Sequence, residues 1–165
     1  MKVLGIDPST TTGLAIADED CKVLYAKEIS FPKLRGFERT SSIMAEILGL
    51  VEREKPDLIV IEAMIVGRAS SAISMISIGS ILRYFLWQED LGNLDVSPST
   101  LKKFVTGKGQ AKKEEIMMYV LKNWGYASQT NNVADAVGLA MLGVCRLGGG
   151  KFTAAQNKVV DQIQI

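Results

Sequence analysis

The stretch Val3-Leu4-Gly5-Ile6-Asp7-Pro8-Ser9-Thr10-Thr11-Thr12-Gly13-Leu14-Ala15-Ile16 constrains this chain most, because it puts a carboxylate at the end of a buried apolar run. Val3 to Ile6 has strand length, Pro8, Ser9 and Gly13 mark a turn, and Leu14 to Ala17 begins a second strand. The pattern predicts a β-hairpin with Asp7 at its mouth. A carboxylate beside a core strand is costly to desolvate unless it is hydrogen-bonded or bound to a cation. Asp7 is therefore either a turn cap, as Asp commonly is, or a ligand, and the choice depends on whether a second acid reaches it.

Further along, Lys22 to Ile29 follows the polar turn Asp18-Glu19-Asp20 and predicts a third antiparallel strand. From Phe37 the period changes: Ile43, Ile47 and Val51 recur every fourth residue with Met44 and Leu48 beside them, a helix of about four turns that ends at Lys55-Pro56-Asp57. Leu58 to Ile61 is then a continuous apolar strand, and a strand reached by a helical crossover is expected to lie parallel to the first. Glu62 ends it as Asp7 ends the first. Neighbouring strand tips lie about 5 Å apart, close enough for both acids to hold one divalent cation, whereas unpaired they repel. The competing reading pairs Glu62 with Arg68 at the surface.

Met64 to Arg68 reads as irregular, and Ser70 to Trp87 as a long helix, apolar over much of its circumference and so expected to be buried on several sides. Its Gly79 and Ser80 allow close approach of another helix, within the core or across a dimer. Asp95 to Ser97 predicts a short last strand, with Pro98-Ser99-Thr100 opening a helical turn. Between Ser97 and Lys113 the chain carries Lys102, Lys103, Lys108, Lys112 and Lys113 and no acid, around the loop Thr106-Gly107-Lys108-Gly109. Lysines and exposed backbone N–H groups beside glycines suit phosphate contacts without base readout. Lys112 to Trp124 and Val133 to Leu147 are the last two core helices, and Asp135 falls in the first turn of the second, where the helix dipole alone would favour an acid.

Totals exclude several function classes. The 165 residues have a net charge of +1 and contain no histidine, so acid–base or metal chemistry falls to carboxylates, lysines or metal-bound water. Cys21 and Cys145 have neither metal-ligand nor disulfide-framework spacing. Without a basic leader or an apolar run of membrane length, a cytoplasmic protein with no membrane partner is expected.

The order of these parts is similar to the RuvC family of Holliday-junction resolvases, within the RNase H-like superfamily. The resemblance runs from Val3 to about Leu147 and rests on Gly5-Ile6-Asp7-Pro8-Ser9, Ile61-Glu62, Val105-Thr106-Gly107-Lys108-Gly109 with Lys112-Lys113-Glu114, and Ala134-Asp135-Ala136. Shortness and a divergent middle look more like the phage and prophage branch than the bacterial housekeeping enzymes. The resemblance implies an α/β fold with a five-stranded mixed sheet flanked by helices, in a nuclease domain over residues 1–150 followed by a tail over 151–165. It also implies a homodimer acting on branched DNA, with paired symmetric nicks. Asp7, Glu62 and Asp135 match the acidic metal ligands, and Lys102, Lys103, Lys108, Lys112 and Lys113 the phosphate-contacting region.

Two departures stand out. Bacterial members usually carry a fourth ligand, an acid or a histidine, three residues before the last Asp; here that position is Asn132, preceded by Asn131. An asparagine ligates through its carbonyl oxygen but brings no charge; natural variation and an engineered acid-to-amide exchange both remain open. The family's bacterial members also place an aromatic shortly after the second acid, and Ala63-Met64-Ile65 has none.

The expected reaction is phosphodiester hydrolysis with two Mg²⁺ or Mn²⁺ ions held by Asp7, Glu62 and Asp135, with Asn132 as a weaker ligand. Two rivals are a catalytically weakened or inactive junction-binding protein, favoured by Asn132, and an ATP-binding actin- or sugar-kinase-like protein, whose first hairpin also carries an Asp before a Gly/Thr/Ser turn. The second needs two similar domains and a second phosphate loop, which this chain does not offer.

Overall fold

The computed structural model describes residues 1–64 and 70–163. Its elements are β1 (Lys2–Asp7), β2 (Thr11–Asp18), β3 (Val23–Ser30), α1 (Gly36–Glu54), β4 (Leu58–Glu62), α2 (Ser70–Gln88), β5 (Asn93–Val96), α3 (Pro98–Thr106), α4 (Lys113–Trp124), α5 (Asn131–Arg146) and α6 (Ala154–Asp161). The strands form one sheet in the order β3-β2-β1-β4-β5. β1, β2 and β3 pair antiparallel, while β4 and β5 run parallel to β1, so the sheet is mixed.

Both faces of the sheet are covered, and the two-residue period of the strands sorts their side chains. Leu4, Ile6, Leu14, Ile16, Ile59 and Ile61 pack with Ile43 and Ile47 of α1 and Ile78, Leu82 and Leu86 of α2. The alternate residues Val3, Ala15, Ala17 and Val60 pack against α5. Asp7 and Glu62 share the parity of Val3 and Val60, so they rise from the α5 face.

Helix α5 is buried along nearly its whole length, Val133 to Cys145. Small residues let it lie directly on the sheet: a Cβ on Gly5 would overlap the carbonyl oxygen of Ala136 and stand 2.6 Å from the backbone nitrogen of Ala140. Thr130 caps the helix by accepting from the backbone N–H of Val133. This cap places the first helical residue at Asn131, two residues before the sequence-based start at Val133.

Helix α2 corrects an expectation. Ile78, Leu82 and Leu86 bury one face, but Met75, Tyr84 and Trp87 are exposed, Trp87 by 76%. The helix meets the sheet beside α1 on one side only, so its all-round apolar character does not report burial on several sides. Gly79 leaves room for the Met64 and Arg83 side chains rather than for another helix. The tail beyond Gly150 folds back as α6, with Val159 and Val160 buried, Gln156 donating to the Phe104 carbonyl and Arg146 to the Val160 carbonyl.

Candidate active site

β1 and β4 are neighbours with Ile6 opposite Ile61, which puts Asp7 and Glu62 side by side at the strand ends. Their carboxyl groups are close enough that each shifts the titration of the other. Asp135 descends on the same place from α5. It lies in the second turn of that helix, since the first turn, beginning at Asn131, contains no acid. Attraction to the dipole, which acts within the first turn, therefore does not account for Asp135. Asp7 is 7% exposed and Asp135 9%, and among the described residues none of the three acids has an ion-pair partner. The Glu62–Arg68 pairing lies outside the described residues; Arg83 forks onto Asp95 and gives Glu62 only a contact to its backbone carbonyl.

The acids line a cavity of about 360 Å³ with Ser9, Thr10, Lys102, Lys113 and Asn132. The turn after Asp7 is tied down by its own hydroxyls: Thr12 Oγ1 donates to the Ser9 carbonyl at 2.6 Å and Ser9 Oγ to the Thr11 carbonyl at 2.6 Å. Asn132 Nδ2 donates to the Thr11 carbonyl at 2.9 Å and to Glu28 Oε2 at 3.0 Å.

A family model for crossover junction endodeoxyribonuclease RuvC matches residues 3–143. This chain belongs to the RuvC family. It is 27% identical to the RuvC of Carboxydothermus hydrogenoformans over 156 residues, covering 90% of this chain and 99% of that one. With the RuvC of Chlorobium phaeovibrioides it shares 29% over 161 residues, covering 92% and 85%. Among solved structures it is similar to T. thermophilus RuvC in complex with Holliday junction substrate, with TM-score 0.74 at 23% identity over 86% of this chain and 91% of that one.

Within this RuvC fold the electrostatics of the cavity are those of a site short of positive charge. Desolvation is the main cause that lifts the Asp7 carboxyl to about 7, with repulsion from Asp135 next. Glu62 is pushed up to about 8 by desolvation and by Asp7 and Asp135. Desolvation alone raises Asp135, to about 6, against the pull of Lys113 and Lys102. As placed, no three acidic side chains among the described residues gather at ligand distance. The donor set nonetheless fits a hard divalent cation, because buried carboxylate oxygens without a cationic partner are what such an ion takes.

All three acids titrate above the ordinary carboxylate range, so at intermediate pH the folded protein binds more protons than the unfolded chain. Stability is then fully present below the ordinary carboxylate pKa and is lost as pH rises through the folded values. In chelator, the thermal midpoint is expected to fall between about pH 5 and about pH 8, and a divalent ion should restore it most at the upper end. A midpoint that rises over that range would contradict the burial of unpaired acids.

The five lysines separate. Lys102 on α3 and Lys113 at the start of α4 border the acidic cavity. Lys103 borders a different one, of about 480 Å³, with Ser97, Ser99 and Gln162. Lys108 stands 4.0 Å from Glu115, and the Lys112 backbone N–H donates to the same side chain. Glu28 and Thr11 were not legible as site residues: Glu28 enters only because Gly13 pairs with Asp7 on one side and with Glu28 on the other, a register that no motif announces. No helix among the described residues is long and apolar enough to cross a membrane.

Proposed function

We propose that this chain is a divalent-metal-dependent endonuclease that resolves branched DNA, four-way junctions above all, by symmetric nicks made as a homodimer. The observation that carries the reading is the set of three carboxylates, two of them buried and none ion-paired among the described residues, brought to one cavity by β1, β4 and α5 in a chain that belongs to the RuvC family. Asp7 and Glu62 would hold the ions from the strand tips, Asp135 would hold them from the helix, and Asn132 would add a neutral oxygen. When bound, Mg²⁺ or Mn²⁺ supplies Lewis-acid activation of water and stabilises the leaving oxygen. Lys102 and Lys113 seat the scissile phosphate beside the acids, and Lys103, Lys108 and Lys112 follow the backbone further out. The exposed side of α2, with Tyr84 and Trp87, is an apolar surface that a second copy would cover, and two-fold symmetry then presents two cavities to two strands. Asn132 and the missing aromatic after Glu62 support a place in the phage and prophage branch.

Cleavage of four-way, three-way and linear DNA with Mg²⁺ or Mn²⁺ tests this. Paired nicks confined to branched substrates and lost in chelator are expected. Junction binding without nicking at any ion concentration would instead assign the chain to non-catalytic binders. Replacing Lys102 or Lys113 by Ala should weaken junction binding and reduce the magnitude of the salt slope by about one each, whatever the DNA sequence; an unchanged slope removes them from the DNA path.

A further inference from the structure

We infer that Glu28 of β3 is a positioning residue of this site: it holds the Asn132 side chain with its carbonyl oxygen free at the acidic cavity. The inference rests on the metal-dependent reading above and adds to it a residue from a strand outside the three acidic elements.

The sheet register sets the arrangement. Asp7 pairs with Gly13 and Gly13 with Glu28, so the three lie in one row across β1, β2 and β3. Cross-strand partners point to the same face, and Ala26, two residues before Glu28 on β3, packs with the α5 side of the core. Adjacent strands are about 4.8 Å apart, so the Asp7 and Glu28 backbones are about 10 Å apart with Gly13 between them. Gly13 has no side chain, and the gap is filled from above by α5: a Cβ at Gly13 would overlap the carbonyl oxygen of Asn132. Asn132 therefore sits over the middle of the row, with an acid on either side.

Its amide can face only one way. The Thr11 carbonyl is an acceptor and an ionised Glu28 carboxylate is an acceptor, so the nitrogen must turn to both, as the two hydrogen bonds of 2.9 and 3.0 Å record. Both amide hydrogens are then used, and no described residue donates to Oδ1. That oxygen is left as the acceptor that Asn132 brings to the cavity it lines with Asp7, Glu62 and Asp135. Without Glu28 the amide keeps one anchor and turns more freely.

An acid at position 132 would not fit this frame. Its carboxylate would meet the Thr11 carbonyl and the Glu28 carboxylate with no proton to share, two acceptors against one. The amide at 132 and the carboxylate at 28 are thus matched to each other, and changing both should succeed where changing one fails.

Mn²⁺ binding to the full chain without DNA, followed by electron paramagnetic resonance, tests this independently of nicking. Glu28→Ala is expected to weaken Mn²⁺ binding about tenfold or more, as loss of an outer hydrogen-bond partner does, while Glu28→Gln, whose carbonyl still accepts from Asn132, stays within about threefold of the unchanged chain. Asn132→Asp alone should also weaken binding, and the double variant Glu28→Gln with Asn132→Asp should recover it, because the introduced amide at 28 donates to the introduced acid. Unchanged affinity in Glu28→Ala, or tighter binding in Asn132→Asp with Glu28 in place, overturns the inference. Glu28→Gln and the double variant decide it if Glu28→Ala fails to fold. Asp7→Asn is the reference: if it keeps Mn²⁺, the metal reading itself falls, and if it loses Mn²⁺ while Glu28→Ala does not, only the role of Glu28 falls.

Discussion

Asp7→Asn should abolish nicking of a four-way junction and at the same time make the metal-free protein more stable. The amide keeps the shape of the side chain but removes the charge of a carboxylate that the proposed function assigns to the metal site at the strand tips. Metal-borne stabilisation of the transition state is worth several kcal/mol, so its loss corresponds to a fall in single-turnover rate on the order of 10³-fold or more. Junction binding, which the proposed function assigns to lysines that the substitution leaves in place, should change little. Stability moves the other way because the folded protein suffers from its buried charges: Asp7, lifted to about 7 mainly by desolvation, raises Glu62 in turn. Removing one charge at about pH 8 relieves roughly 2 kcal/mol, which in a domain of this size raises the thermal midpoint by about 4–8 °C. Retained nicking would remove Asp7 from the site. A lowered midpoint in chelator would mean that Asp7 is held by hydrogen bonds its amide cannot reproduce.

The parts of this arrangement that were legible in the sequence are those carried by short-range pattern. Asp7 and Glu62 stand out because each closes an apolar run, and the helix between the runs favours parallel strands; the structure pairs Ile6 with Ile61. The start of α5 was less legible because its cap is Thr130, within the polar stretch Ser128 to Asn132, where several residues are able to cap. The error of two residues moves Asp135 from the first turn to the second, where a dipole explanation no longer applies. Glu28 was not legible at all. On its own strand it is an ordinary half-exposed acid, and only the pairing of β2 with β3 and the descent of α5 onto Gly13 bring it to Asn132.

A cluster of lysines with no acid among them is a coarse guide. Composition treats Lys102 to Lys113 as one patch, yet α3 and α4 aim two of the five at the acids and the others elsewhere. Helix α2 makes the complementary point: apolar residues lie all round its circumference, yet the fold buries only one face and leaves Tyr84 and Trp87 exposed.

Gly13→Ala should be among the most damaging single-methyl changes available to this protein, and it should act on the site before it acts on the fold. The added Cβ would run into the backbone of Asn132, its carbonyl oxygen and carbon, with the Val133 nitrogen 3.1 Å away. Backbone cannot move aside as the end of a flexible side chain can, so the first turn of α5 has to lift from β2. Overpacking of this kind costs roughly 1–3 kcal/mol, and the same displacement carries Asn132 off Glu28 and shifts Asp135 relative to the strand tips. Since misplacement by about 1 Å in a positioned site costs on the order of 10²-fold in rate, nicking well below the thermal midpoint should fall by about that factor while the circular dichroism spectrum is retained. Gly49→Ala is the control. Gly49 lies on the exposed side of α1 with nothing within 4 Å of an added Cβ, so the substitution should stabilise the helix by about 0.5–1 kcal/mol and leave nicking unchanged. If Gly13→Ala behaves like Gly49→Ala, α5 does not rest on the hairpin at Gly13, and the seat of Asn132 and Asp135 over the sheet is wrong.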